Sequence, residues 1–231
     1  MTDMTDPTPI AGEHAELRHS FGEQLHHIHQ GLVEMASLVL ENTRRAGEAV
    51  LENRLADVDA IRFADEEVNA RHADLEYRVF EVLALQQPVA KDLRFLVAAT
   101  RMLYELERTG DLAVNCAKAM ERAGGFTMSP QLHSTLGRLV DESTALFGRV
   151  IDGLADMDPL SGERAEIEDD VVDDVCSTFY TDLARDSARL GLAASIELSR
   201  IGRFLERIAD HGVNIAQDTS FAVKGTFTRD S

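Results

Sequence analysis

The strongest constraint on the fold is a nine-residue stretch that occurs twice. Residues 107–115 read ERTGDLAVN and residues 206–214 read ERIADHGVN, at an offset of 99 residues. Between the wider windows 105–117 and 204–216, seven of thirteen positions are identical, where chance predicts roughly one identity. We interpret this repetition as an internal duplication, in which both halves of the chain share one architecture.

The spacing inside the repeat indicates an α-helix with a polar stripe. Glu107, Asp111 and Asn115 follow each other at four-residue steps, and four residues advance about 400° around a helix, so the three side chains point the same way. The second copy carries the same stripe at Glu206, Asp210 and Asn214. Two carboxylates at this spacing repel each other, and a bound hard cation, which prefers oxygen ligands, would relieve the repulsion.

A solvated acidic face is the simpler interpretation of any single pair of acids. Aspartate and glutamate make up 41 of the 231 residues, so several such pairs are expected by chance on exposed helix faces. The duplication favours a site instead, because Arg108 and Arg207 repeat together with the acids and the asparagines. We predict that these two arginines, with Asn115 and Asn214, support the acids from a second layer.

Hydrophobic periodicity predicts an all-α fold of two tandem three-helix bundles. Apolar residues recur at steps of three and four throughout, and no alternating strand pattern is present. Ser129-Pro130 is a helix start, and Gly124-Gly125 is a helix stop. The predicted organisation is a disordered tail over 1–12, a first bundle over 13–123, a linker over 124–130, a second bundle over 131–223 and a C-terminal tail over 224–231.

Charge and composition narrow the possible partners. The formal net charge is −18, which disfavours nucleic acid, since an acidic chain repels phosphodiester backbones. No apolar run is long enough to cross a membrane. The two cysteines, Cys116 and Cys176, are far apart in sequence and indicate buried thiols in a reducing compartment.

The repeated stretch resembles the E(D)xxxD signature of the PhoU family, the phosphate-signalling proteins of bacterial phosphate-specific transport. Glu107 with Asp111 and Glu206 with Asp210 occupy the signature positions. Residues 87–94, QPVAKDLR, are similar to the family's PvAxDLR segment before the first signature helix. The resemblance covers roughly residues 14–222.

Acids in the middle helix of each half are further candidates. They resemble the family's D-x-x-hydrophobic-D segment, although an asparagine replaces one acid in the first half. The first set is Asp65, Glu66 and Asn69, and the second is Asp169, Asp170 and Asp173. In an antiparallel three-helix bundle these side chains could face the signature helix and complete an oxygen cage. A solvated acidic stripe is the alternative.

The resemblance also implies a function. Members of the family are cytosolic regulators that couple a phosphate ABC transporter to a sensor histidine kinase and repress the phosphate-starvation response when phosphate is plentiful. It implies homodimers and multinuclear clusters of iron, manganese, magnesium or zinc on the signature helices. We therefore expect a cytoplasmic regulator that does not insert into the membrane.

Two other classes of function remain open at this stage. A carboxylate-bridged metal enzyme or iron-storage-like helical protein would also carry clustered acids, and oxidase activity with Fe²⁺ would identify it. A structural helical adaptor would carry the same acids as a solvated face. We predict no catalysis, because the sequence contains no nucleophile motif, glycine-rich phosphate loop or Cys-x-x-Cys.

Overall fold

A computed structural model describes the backbone of residues 10–225 and the side chains of residues 21–225. Within that range the chain forms six long α-helices and one short 3₁₀ helix, and no β-strand. The elements are α1 (Ile10–Glu52), the 3₁₀ helix Leu55–Asp57, α2 (Val58–Gln86), α3 (Ala90–Ala123), α4 (Pro130–Ala155), α5 (Ser161–Leu190) and α6 (Leu192–Lys224). The predicted all-α class and all six predicted helices are confirmed.

The predicted tails fall mostly beyond the described range. Residues 1–9 and 226–231 lie outside it, so the expectation of disorder there stays a prediction. Where the chain is described, α1 begins at Ile10 and α6 continues to Lys224. The helical region is therefore slightly longer at both ends than the predicted bundles.

The helix ends near the middle of the chain follow from local chemistry. The Ser129 hydroxyl accepts a hydrogen bond from the backbone amide of Leu132 at 3.2 Å, and Pro130 occupies the first turn of α4. The first amides of a helix have no partner within the helix. The Ser129 hydroxyl supplies a partner for one of them, and Pro130 has no amide hydrogen that would need one. Gly124 ends α3 with φ of +68°, a left-handed conformation that glycine adopts without steric cost.

The helices form two layers. Helices α2, α3, α6 and α5 pack side by side in that order, and α1 and α4 pack against this row and against each other. Helices α3 and α6 share the most extensive contact and run antiparallel, since Arg101 pairs with Asp218 at 3.3 Å and Arg122 pairs with Glu197 at 2.7 Å. Among the described residues, no helix covers the face of the row opposite α1 and α4, which we call the open face.

Aliphatic side chains fill a continuous core that runs through both halves. Burial of each Leu, Ile, Val or Met contributes roughly 1.5–3 kcal/mol. Phe147 and Phe179 are the largest fully buried side chains. Gly47 of α1 allows close contact with α4, since a Cβ atom on Gly47 would lie 2.4 Å from a methyl group of Val140.

The predicted linker is held against the helices by hydrogen bonds. The Asn53 side chain donates to the Phe126 carbonyl at 2.8 Å and accepts from the Phe126 amide at 2.5 Å. The Ser129 amide donates to the Asp186 carboxylate at 2.8 Å. The division into separate bundles at residues 124–130 stays a prediction. Helices α3 and α6 pack against each other and connect the two halves.

No helix among the described residues is long and apolar enough to cross a membrane. The core-facing sides of these helices are apolar, but charged residues recur on their outer sides.

Candidate metal centre

The duplication places acidic side chains at matching positions of two helix pairs. The first cluster lies between α2 and α3, where Asp65 interacts electrostatically with Glu107 and Asp111. The second cluster lies between α5 and α6, and its members influence one another in the same way. Its members are Asp169, Asp173, Glu206 and Asp210. The structure thus brings the signature acids of each half together with an acid of the preceding helix.

One aspartate in each cluster has a strongly perturbed pKa. Burial, followed by repulsion from Asp111, raises the pKa of Asp65 to about 6. Burial, followed by repulsion from Asp173 and Asp210, raises the pKa of Asp169 to about 6. Like charges and low water access both disfavour the ionised carboxylate. These two groups are therefore the points of greatest electrostatic strain in their clusters.

Two further acids of the second cluster are perturbed in the same direction. Burial, and then the neighbouring Glu206, raises the pKa of Asp173 and that of Asp210. Both side chains are exposed, but the surrounding protein still removes part of the water from their carboxylates. The second cluster therefore holds more strained acids than the first, where Asn69 stands at the position of Asp173.

Each cluster also contains a buried oxygen with no hydrogen-bond partner. Among the described residues, Asp65 Oδ1 and Asp169 Oδ1 are both buried and unsatisfied. The other oxygen of Asp65 accepts a hydrogen bond from Asn69 Nδ2 at 3.2 Å. Gly110 on α3 permits this placement, because a Cβ atom there would lie 2.5 Å from Asp65 Oδ1. A buried unsatisfied oxygen is costly, and its occurrence at equivalent positions of both halves points to a ligand.

The clusters differ in the groups that contact the signature glutamate. Arg203 pairs with Glu206 at 2.7 Å, and the Cys176 thiol donates a weak hydrogen bond to Glu206 Oε2 at 3.8 Å. In the first half, Tyr104 takes the position of Arg203, and the Arg108 guanidinium lies 4.5 Å from the centre of its ring. Arg203 was missed by the repeat comparison, although its place one turn before Glu206 is a recognisable ion-pair spacing.

The asparagines of the two copies also have different surroundings. Asn214 donates to Glu105 Oε1 at 3.4 Å, and His211 Nδ1 forms a hydrogen bond with the same carboxylate. These contacts join α6 to α3 and therefore join the two halves. His211 Nε2 is buried with no partner in the described region. Asn115 is partly buried on α3, and no hydrogen bond comparable to that of Asn214 holds it among residues 21–225.

The remaining sequence candidates lie at the edges of the clusters. Asp170 is exposed on α5 and contributes to the raised pKa of Asp169. Glu66 is exposed on α2, at the matching position of the first half. Arg207 is partly buried on α6, but it is Arg203 that pairs with the signature glutamate.

The two cysteines are buried and free. Burial raises the pKa of the Cys116 thiol to about 12. Burial, and then the nearby Glu206, raises the pKa of Cys176 to about 12 as well. The predicted burial is confirmed, and both groups are unreactive thiols at neutral pH because the thiolate is the nucleophile.

The donor chemistry of the clusters fits a hard cation. All candidate donors are carboxylate or amide oxygens, and each cluster contains one buried oxygen that lacks a partner in the part of the chain that the structure describes. Hard cations such as Mg²⁺ and Mn²⁺ take oxygen ligands of this kind. In residues 21–225, no three His, Cys, Asp or Glu side chains already stand in a metal-binding arrangement, so the acids would have to move together around an ion.

A family model and the sequences of known proteins match this chain to the same family. The model of the PhoU domain matches residues 32–120 and 136–219, one domain in each half. The phosphate-specific transport system accessory protein PhoU homolog of Synechocystis is 32% identical over 209 residues, which are 90% of this chain and 93% of the relative. PhoU homolog 1 of Mycobacterium leprae is 30% identical over 218 residues, 93% of this chain and 97% of the relative.

Solved structures match the fold over most of the chain. The crystal structure of PhoU from Pseudomonas aeruginosa superposes with a TM-score of 0.83 at 24% identity, covering 89% of this chain and all of that one. The phosphate transport system regulatory protein PhoU from Streptococcus pneumoniae superposes with a TM-score of 0.80 at 21% identity, over 90% of this chain and 99% of that one. The arrangement of six helices is therefore shared with both structures.

Proposed function

Since the chain belongs to the PhoU family, we propose that it is a metal-binding regulator of phosphate uptake and of the phosphate-starvation response. It acts by contact with a phosphate ABC transporter and a sensor histidine kinase and represses the response when phosphate is plentiful. The relatives support the transport part of this proposal, because they are named as accessory proteins of phosphate-specific transport. The protein works in the cytoplasm as a homodimer and has no enzymatic turnover.

One observation carries the metal-binding part of the proposal. The unsatisfied buried oxygens of Asp65 and Asp169 occupy equivalent positions in the two halves, each beside a pair of signature acids. A purely solvated acidic face would not bury the same atom twice without a partner. A cation bound in each cluster would take the unsatisfied oxygen of that cluster as a ligand and neutralise the acids around it.

The residues that would hold metal follow from the two clusters. In the first half they are Asp65, Glu107 and Asp111, with Glu66 at the edge. In the second half they are Asp169, Asp173, Glu206 and Asp210, with Asp170 at the edge. Iron, manganese, magnesium or zinc would supply positive charge at these positions, with one or more ions in each cluster. Arg108, Arg207, Asn115 and Asn214 would act as supporting residues.

The remaining features agree with a regulator that contacts proteins. A net charge of −18 disfavours binding to DNA or RNA. The same charge attracts basic protein surfaces and metal ions. Helices α2 and α5 also expose large apolar side chains, Phe63 and Ile167, at equivalent positions of the two halves.

The proposal is tested by removing the two signature glutamates. The variant Glu107→Gln with Glu206→Gln keeps side-chain size and helix propensity but removes two charges. We expect a folded, helical protein that no longer represses a promoter induced by phosphate starvation in cells grown with ample phosphate. Glu81→Gln, an exposed acid on α2 outside the clusters, is the matched control and should repress normally.

The outcomes of this test are distinct. Normal repression by the double variant would show that the signature acids do not carry the signal. Loss of repression by Glu81→Gln as well would indicate a general effect of acid removal, and the proposal would then fail for these residues.

A further inference from the structure

A groove between α2 and α3 lies on the open face and changes character along its length. On α3, Leu93, Val97 and Arg101 follow each other at four-residue steps, and on α2, Glu76 and Phe80 do the same, so each set forms one stripe of its helix. The end of the groove near the α2–α3 turn is apolar and the other end is charged.

The apolar end exposes an unusual amount of hydrophobic surface. Phe80 is 53% exposed, Leu93 41% and Val97 37%, and Tyr77, one turn before Phe80 on α2, is 67% exposed. Single exposed apolar side chains are common on protein surfaces, but several large ones close together mark an interaction site. This end of the groove therefore has the composition of a binding surface.

The charged end opens into a cleft of about 700 Å³ between α2, α3 and α6. Three carboxylates line it, those of Glu76, Glu105 and Asp218, against the single guanidinium of Arg101. Arg101 pairs with Asp218, and Glu105 bonds to α6 as described above. Because the cleft contains more carboxylates than guanidinium groups, a positively charged side chain of a binding partner is electrostatically complementary to it.

The second half of the molecule keeps only the α6 side of this surface, where Leu192 and Ile196 stand at the positions of Leu93 and Val97 and are also exposed. Residues of α5 correspond to residues of α2 at an offset of 104, as Asp169 does to Asp65. The positions of Tyr77, Phe80 and Leu85 are taken by Thr181, Ala184 and Arg189. The aromatic and aliphatic groups on α2 are therefore not a requirement of the repeated helix pair, since its second copy folds without them.

We propose that this groove docks one amphipathic α-helix of a partner protein. The helix packs apolar side chains on Phe80, Leu93 and Val97 and places a Lys or Arg side chain in the acidic cleft. From Leu93 to Glu105 the groove spans twelve residues of α3, about 18 Å at 1.5 Å per residue. A partner helix of about three turns covers that length, with its positive charge two to three turns from its first apolar contact.

This inference rests on the proposed function, because it specifies the surface by which such a regulator meets another protein. Apolar contacts supply affinity in recognition of this kind, and the charge fixes the direction in which the helix lies. The equivalent positions of the second half provide internal controls.

The test uses a synthetic, fluorescein-labelled 16-residue helical peptide with leucines along one face and two arginines near one end of that face. Fluorescence anisotropy at physiological salt measures its binding to the full chain. We expect Phe80→Ser and Val97→Ser each to weaken binding at least fivefold, and replacement of the peptide's arginines by glutamate to weaken it at least tenfold. Ile196→Ser, at the position equivalent to Val97 in the second half, should leave binding unchanged.

A charge exchange makes the test specific for the cleft. Glu76→Lys should weaken binding of the arginine peptide and strengthen binding of the glutamate peptide. All four positions to be changed are exposed or partly buried, and circular dichroism confirms that each variant remains helical.

Several results would overturn the inference. These are absence of binding to the unaltered protein, equal binding by Val97→Ser and Ile196→Ser, or no response to the charge exchange. Light scattering provides a further test, since dissociation of a dimer by Val97→Ser would assign the groove to a second copy of this chain. The groove proposal and the proposed function can fail separately. If Val97→Ser binds the peptide normally and the signature variant loses repression, the proposed docking groove is rejected and the regulatory function is retained.

Discussion

The two strained aspartates should destabilise the metal-free protein near neutral pH. Asp65 is buried and Asp169 is partly buried. Both lie beside other carboxylates, and within the described part of the chain each has one buried oxygen without a hydrogen-bond partner. Asparagine has nearly the same shape as aspartate and no charge. We therefore expect Asp65→Asn and Asp169→Asn each to increase the free energy of unfolding of the chelated protein.

The magnitude follows from the perturbed ionisation. The pKa of each group is raised from 3.8 to about 6, and each pKa unit corresponds to about 1.4 kcal/mol between the two protonation states. Water still reaches parts of both clusters and reduces this effect, so we expect a gain of about 1–3 kcal/mol for each substitution. In a protein of this size, 1 kcal/mol changes Tm by about 2–4 °C.

The dependence on pH has a definite sign. Between the unfolded pKa of 3.8 and the folded pKa of about 6, the folded protein binds more protons than the unfolded chain. The stability that these two carboxyl groups contribute to the folded protein is therefore fully present below pH 3.8 and is lost as pH rises through about 6. The advantage of the asparagine variants should accordingly be greatest at pH 7–8 and should shrink as pH falls from about 6 towards 4.

The assay is urea unfolding of the chelated proteins, followed by circular dichroism at several pH values. Glu81→Gln is the matched control and should change the free energy of unfolding by less than about 0.5 kcal/mol. Asparagine variants that are less stable than the original at pH 7.5, or whose advantage grows as pH falls, would refute this explanation.

Two further predictions concern packing and the linker. Gly202→Ala should destabilise the protein by about 1–3 kcal/mol, because its Cβ atom would lie 2.4 Å from the Phe179 ring. Gly22→Ala, with no atom within 4 Å, should stabilise α1 by up to about 1 kcal/mol, and thermal unfolding measures both. Asn53→Ala removes two hydrogen bonds to Phe126, so we expect a loss of about 1–3 kcal/mol and faster proteolysis within residues 124–130. Unchanged cleavage there would mean that these hydrogen bonds do not hold the linker.

Much of the fold could be predicted from the sequence because its determinants are local. Apolar residues at steps of three and four fix the helices, and the signals at Gly124 and Ser129-Pro130 mark where two of them end and begin. The packing of α3 against α6 could not be predicted in this way. It depends on pairs such as Arg101 with Asp218, which are far apart in sequence.

The part of the candidate site that lies within a single helix could also be predicted, because its determinants are local. The repeat identified Glu107, Asp111 and their counterparts, because four-residue spacing within one helix is visible in the sequence. The contact between Glu105 and His211 crosses between helices, and the repeat does not contain it, because Leu112 stands at the position of His211 in the first half. That lack of duplication was itself a usable signal, since a contact between two different halves need not be repeated.

The most direct test of the central claim compares metal-induced stabilisation of the original protein with that of Asp111→Asn combined with Asp210→Asn. Thermal unfolding is measured after chelation and again with Mn²⁺, Mg²⁺ or anaerobic Fe²⁺. At a hundredfold excess over Kd, a bound ion stabilises the folded state by about 2.7 kcal/mol. We predict a Tm increase of about 5–10 °C for the original protein and for Glu81→Gln, and loss of most of that increase in the double variant. Equal increases in the original and the double variant, or no increase in either, would contradict the assignment of these acids as metal ligands.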